Sequence, residues 1–277
     1  MHLHEDAQEA GVRLIAHDTL PSTNAEALAR ARAGERGPLW IAAARQTAGR
    51  GRRGNAWASE PGNLYASLLL SDAAPPAHLP ELCFVVALAA RDAVASFIPP
   101  LSGGGEERLK LKWPNDLLLD GAKLAGILIE AESVAATTAV AAGIGVNCAH
   151  HPENLPYPAT SLAACGAAAM PDELLRALSG TMVSRLAQWD RGSGFAAIRS
   201  EWLAHAAGLG GDIHVRLADR ELKGTFETLD RMGRLMLRLP AGRLEAITVG
   251  EVFAPSTPSR HASHVDLPLS GGGERER

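Results

Sequence analysis

The pattern of apolar and polar positions divides the chain into segments of different texture. Residues 12–17, 39–44 and 64–70 are short apolar runs and read as strands. Between the first two, Ser22-Thr23-Asn24 stands before residues 25–33, rich in Ala, Leu and Arg, which predicts a capped helix closed by 34–38. Residues 80–97 predict a long apolar helix, followed by a break at 99–107. A strand pair is expected over 109–119, with further strands at 123–132 and 138–147. Residues 171–207 read as helical, with Leu174, Leu175, Leu178, Met182 and Leu186 at helical spacing. After Gly208-Leu209-Gly210-Gly211 the pattern changes to short alternating strands over 212–253. That module is too small for a sandwich and has the size of a small barrel. Residues 1–11 read as a loose leader. Residues 256–277, rich in Ser, Pro, His, Gly and charge, read as a disordered tail. The expected organisation is therefore a first domain over 1–207, a small β domain over 208–255 and the tail.

Composition narrows the function. Of 277 residues, 46% are hydrophobic, enough for a sizeable core. Lys and Arg number 27 against 31 Asp and Glu, a net charge of −4, so positive charge is local and a general nucleic-acid binder is disfavoured. Cys83, Cys148 and Cys165 show no paired spacing, which argues against a disulfide scaffold or zinc knuckle and for a reducing, cytoplasmic compartment. The start lacks the order of a signal peptide. No apolar run reaches the length of about 18 residues that spans a membrane.

The local charge sits in Gly49-Arg50-Gly51-Arg52-Arg53-Gly54. Glycine lets backbone approach a ligand, successive N–H groups can form an anion site, and arginine presents a fork of donors to phosphate or carboxylate. The rival reading is a solvated tract touching RNA; the apolar strands on both sides favour an ordered site. A second signal is Lys110-Leu111-Lys112-Trp113-Pro114-Asn115-Asp116, whose bland reading is a strand end and turn. In Lys123-Leu124-Ala125-Gly126-Ile127-Leu128, a lysine at a strand mouth either reaches a bound anion or snorkels to solvent. In Gly143-Ile144-Gly145-Val146-Asn147, the glycines permit close backbone approach.

In this order along one chain, with Gln46-Thr47-Ala48 leading into the glycine/arginine run, these segments closely resemble biotin–protein ligase over roughly residues 12–255. The β module, ending Gly250-Glu251-Val252, resembles that family's C-terminal domain. The resemblance implies an α+β fold: a mixed sheet with helices, like the catalytic domain of class II aminoacyl-tRNA synthetases, plus a small SH3-like β-barrel. It implies an ATP-dependent ligase that makes biotinyl-5′-AMP and transfers biotin to a lysine of a biotin carboxyl carrier protein, of acetyl-CoA carboxylase or a similar enzyme. Biotin and ATP are its substrates, with Mg²⁺.

By the same resemblance Arg52, Lys112, Asp116 and Lys123 carry the chemistry. Ser22, Thr23, Asn24, Gln46, Gly49, Arg50, Gly51, Arg52, Lys123 and Gly126 bind biotin. Arg50, Arg52, Trp57, Lys112, Asn115 and Asn147 bind ATP or the adenylate. Asp116 either accepts a proton from the incoming lysine or positions a metal; no residue set is assigned to a metal. Asn55 stands where the family often has a basic residue. The 21 residues before Ser22 cannot hold a winged helix-turn-helix, so no DNA binding is expected, nor any membrane, and the state expected is a monomer or weak homodimer. Two alternatives stand beside this: a lipoate or octanoate ligase or transferase of the same fold class, and a nucleic-acid module using the Arg/Gly loop.

Overall fold

The computed structural model describes residues 1–98, 108–153, 155–167 and 169–253; the expected break at 99–107 and tail at 256–277 lie outside the described residues. The first eleven residues correct the expectation of a loose leader. They form a short helix, α1 (Glu5–Glu9), with Leu3 and Ala7 buried. The backbone N–H of His4 donates to Ser179 Oγ at 2.8 Å, pinning the N-terminus to a distant helix. Five residues show too little periodicity for this to be read from sequence.

β1 (Arg13–Leu20) runs parallel to β2 (Leu39–Gln46), and the crossover that parallel pairing requires carries α2 (Thr23–Arg32). Ser22 starts that helix as expected: its backbone is extended and its Oγ accepts from the N–H of Ala25. β3 (Leu64–Ser71), β4 (Leu109–Lys112), β5 (Asp116–Leu119), β6 (Ala122–Val134) and β7 (Thr137–Val146) complete a seven-stranded sheet ordered β1-β2-β3-β7-β6-β5-β4, antiparallel from β2 onward. β3 is buried from Leu64 to Leu70 with no alternation, because both faces of the sheet are covered. α2 packs on one face over Leu20, Ile41 and Leu69. The other face meets α3 (Leu82–Ala95) and α4 (Pro171–Trp189), and α5 (Phe195–Ala204) packs on those two helices.

The helical stretch expected over 171–207 is broken between α4 and α5. Asp190 and Arg191 both take positive φ and Gly192 follows at 113°, so the chain reverses there. In the turn before α3, the buried Glu81 carboxylate accepts from the Trp189 indole N–H at 2.7 Å and pairs with His78. Phe84 meets Phe195 and Trp202 edge-on at 5.7 and 5.4 Å; each fully buried large apolar side chain of this kind contributes roughly 2–3 kcal/mol.

The last unit is a five-stranded antiparallel sheet of β8 (Asp212–Arg216), β9 (Glu221–Leu229), β10 (Leu235–Arg238), β11 (Leu244–Ile247) and β12 (Glu251–Phe253), ordered β11-β10-β9-β8-β12. The mixed sheet with helices and the separate β module match the fold class expected from sequence. The module is docked through the β9–β10 turn. Gly233 (φ 77°) lies so close to Phe84 that a Cβ would come within 2.6 Å of its ring, and its carbonyl accepts from the Trp113 indole at 3.1 Å.

Candidate active site

A cavity of about 620 Å³ opens where β6, β7, the turn between β4 and β5, the loop after β2 and the end of β12 converge. The floor is the pair Gly126 and Gly145, opposite each other on β6 and β7. The glycines do permit close approach, but of the chain's own side chains. A Cβ on Gly126 would lie 2.9 Å from the Trp57 ring, and one on Gly145 would lie 2.6 Å from it. A Cβ on Gly143 would come within 2.4 Å of Asn24 Oδ1. The Trp57 indole N–H is buried and has no partner among the described residues.

One end of the cavity is neutral and polar. Gln46 Oε1 accepts from the Thr23 N–H at 2.9 Å and lies 3.2 Å from its hydroxyl, while Gln46 Nε2 donates to Ser59 Oγ. Asn24 Nδ2 donates to the Leu128 carbonyl and to Glu130. Ser67 Oγ lies 2.7 Å from Thr23 Oγ1 and 2.6 Å from Asn24 Oδ1. These side chains are fixed by one another before any ligand arrives.

The other end is charged. Lys123 Nζ lies 2.8 Å from Asp116 Oδ1, both side chains less than a fifth exposed. The same ammonium lies 5.5 Å from the ring centres of Trp57 and of Tyr157. The strand mouth is extended by a bridge between Lys123 and Ala159, which brings the segment around Tyr157 against the lysine. Arg52 donates to Asn115 Oδ1 at 3.1 Å, and Asn115 Nδ2 donates to the Ile127 carbonyl at 2.6 Å, so the glycine/arginine loop is tied to the β4–β5 turn. Burial pushes the Lys112 ammonium below the usual lysine range, opposed by the nearby Asp116 carboxylate. Arg50 does not point at its neighbours in the loop; it pairs with Glu130 at 3.1 Å. Cys83 Sγ donates to the Pro114 carbonyl, and burial pushes its thiol up to about 12, so it serves as a donor and not as a nucleophile.

The loop itself is more ordered than three glycines suggested. Arg50 and Ala56 bridge, the Gly51 N–H donates to the Asn55 carbonyl at 2.7 Å, and residues Arg52–Gly54 make a tight turn. Of its glycines only Gly54 has positive φ, and Arg53 shares that conformation at 56°.

The cavity wall includes Ser22, Thr23, Asn24, Gln46, Arg50, Gly51, Arg52, Trp57, Lys112, Asn115, Asp116, Lys123 and Gly126. Gly49 and Asn147 stand behind it. A Cβ on Gly49 would meet Ser59 and the Trp57 carbonyl at 2.5 Å, and the Asn147 amide is spent on the Thr160 carbonyl. Both act on the frame of the cavity. Sequence reasoning missed Glu130, Tyr157, Arg216 and Phe253, which also face the site or hold its residues. The first two sit within or just beyond readable motifs. The last two depend on how the β module docks, which leaves no local signal.

Comparison with known proteins gives the family and the fold. The model of the biotin/lipoate A/B protein ligase family matches residues 18–147, and that of the biotin protein ligase C-terminal domain matches 208–254. The chain is 43% identical to the biotin–[acetyl-CoA-carboxylase] ligase of Paracoccus denitrificans, across 84% of this chain and 96% of that one. It is 34% identical to the ligase of the same name from Mycobacterium tuberculosis, across 83% and 85%. Among solved structures, a biotin protein ligase from Aquifex aeolicus in complex with biotin and ATP superposes with a TM-score of 0.71 at 25% identity, covering 87% of this chain and 97% of that one. The chain belongs to the biotin protein ligase family.

Proposed function

We propose that the protein condenses biotin with ATP to biotinyl-5′-AMP and pyrophosphate, then transfers biotin to the ε-amine of one lysine on a biotin carboxyl carrier protein. The observation that carries this reading is the pairing, in one cavity, of a preorganised neutral polar end with an end holding Arg52, Lys112 and Lys123. The biotin carboxylate must approach the α-phosphate. Two unit charges about 4 Å apart repel by roughly 4 kcal/mol at an effective dielectric of about 20. The three cations offset that repulsion and stabilise charge that grows in the transition state.

Thr23 and Gln46, with Ser22 and Asn24, take the ureido end of biotin, and Trp57 gives apolar or stacking surface. ATP enters as its Mg²⁺ complex, the ion being part of the substrate. Asp116, already on Lys123, is placed to receive a proton from the carrier's amine when Lys123 turns to the adenylate. We assign residues 1–207 to the catalytic unit and 208–255 to the β unit, of which Arg216, Glu251, Val252 and Phe253 line one side of the cavity. Biotin-dependent exchange of labelled pyrophosphate into ATP tests the first step. Exchange with biotin and none with lipoate or octanoate supports it; exchange driven by lipoate or octanoate instead overturns it in favour of the lipoyl branch of the fold.

A further inference from the structure

Phe253 is the last residue of β12, and it touches the catalytic cavity from outside the catalytic unit. Lys112 Nζ lies 5.4 Å from the centre of its ring. The guanidinium carbon of Arg216 lies 4.8 Å from the same centre. Phe253 pairs with His214 and Glu251 with Arg216, so Arg216 and Phe253 are diagonal neighbours on one face of the β8–β12 ladder. One aromatic ring thus serves two cations, one from each unit of the chain.

We propose that Phe253 is a positioning residue for Lys112; this rests on the function proposed above. Lys112 ends β4, paired with Asp116 of β5. Around it stand the cations Lys123 and Arg216 and the carboxylates Asp116 and Glu251. A carboxylate placed against the ammonium would occupy its N–H donors and cancel its charge. A ring face attracts the charge through its quadrupole and takes no hydrogen bond. The ammonium is held in place and its donors stay free for a phosphate oxygen. Arg216 against the same ring fixes the ring in turn, and limits how far Lys112 can swing toward the β module.

The test uses the full chain and biotin-dependent ATP–pyrophosphate exchange. Phe253→Leu should lower kcat/KM for ATP by roughly 3- to 30-fold, the range of a partly desolvated cation–ring contact, without changing Tm or the KM for biotin. Phe253→Tyr, which keeps the ring, should restore exchange to near the wild-type level. On a Lys112→Met background, Phe253→Leu should have no further effect. The role of Phe253 is overturned if Phe253→Leu exchanges like wild type, if Phe253→Tyr is as impaired as Phe253→Leu, or if the loss persists undiminished on the Lys112→Met background. Failure of the wild-type chain to exchange refutes the functional reading itself; wild-type exchange with an unaffected Phe253→Leu refutes only this inference.

Discussion

Lys123 and Asp116 form an ion pair 2.8 Å long at the wall of the cavity, between a ring from the glycine/arginine loop and a ring from the segment after β7. Their strands supply the closeness: Asp116 of β5 pairs with Gly126 of β6, and Lys123 lies three residues earlier on β6. Lys123→Ala should reduce pyrophosphate release by about 10²-fold or more, the scale of removing one preorganised donor from a developing charge. Circular dichroism should show an intact fold, because the sheet core beneath the pair is untouched. Wild-type release from this variant would contradict the assignment.

The glycine floor makes a second prediction. A methyl at Gly145 would stand 2.6 Å from the Trp57 indole, inside contact distance. Gly145→Ala should therefore displace Trp57, cost about 1–3 kcal/mol, and shift the intrinsic tryptophan emission of the ligand-free protein. Unchanged emission and unchanged Tm would show that Trp57 does not lie on the sheet in solution.

The third concerns retention of the adenylate. Arg52 bridges the loop and the β4–β5 turn through Asn115. Arg52→Gly removes that tie and a cation of the cavity wall. The variant should make adenylate but release it, so that serum albumin supplied with biotin and ATP becomes biotinylated in the absence of carrier. Labelling no greater than with wild type, while adenylate is still formed, would exclude a retention role.

How far these residues were legible follows from their locality. The β4–β5 turn with Lys112 and Asp116, the capped start of α2 and the glycines of β7 are each set by neighbours in sequence, and the expected elements formed there. The occupants of the glycine seats were not legible, since Trp57 and Asn24 reach them from other parts of the chain. Nor was α1, whose hold is the distant Ser179, nor the break at Asp190–Gly192, where two non-glycine residues take positive φ. Phe253 and Arg216 had no signal at all, because their place in the cavity comes from how two units dock.

The fourth prediction is a pH dependence. Burial lowers the Lys112 pKa from the ordinary value of 10.5. Between the lowered folded value and the unfolded one, the unfolded chain binds more protons, so this group makes stability rise with pH across that window and leaves it flat below. Wild type should therefore gain stability relative to Lys112→Met as pH climbs toward 10.5. Over the same window kcat/KM for ATP should fall, because the charge needed at the phosphate is lost. A constant stability difference across that window would show that Lys112 is not desolvated in the folded chain.

The most direct test of the whole reading is incubation of the protein with ATP, labelled biotin and a purified biotin carboxyl carrier domain, followed by mass spectrometry of the carrier. Label on one carrier lysine, dependent on ATP and absent when that lysine is replaced by arginine, is the expected result. A carrier that stays unlabelled while lipoate or octanoate is transferred to a lipoyl domain under the same conditions would contradict it.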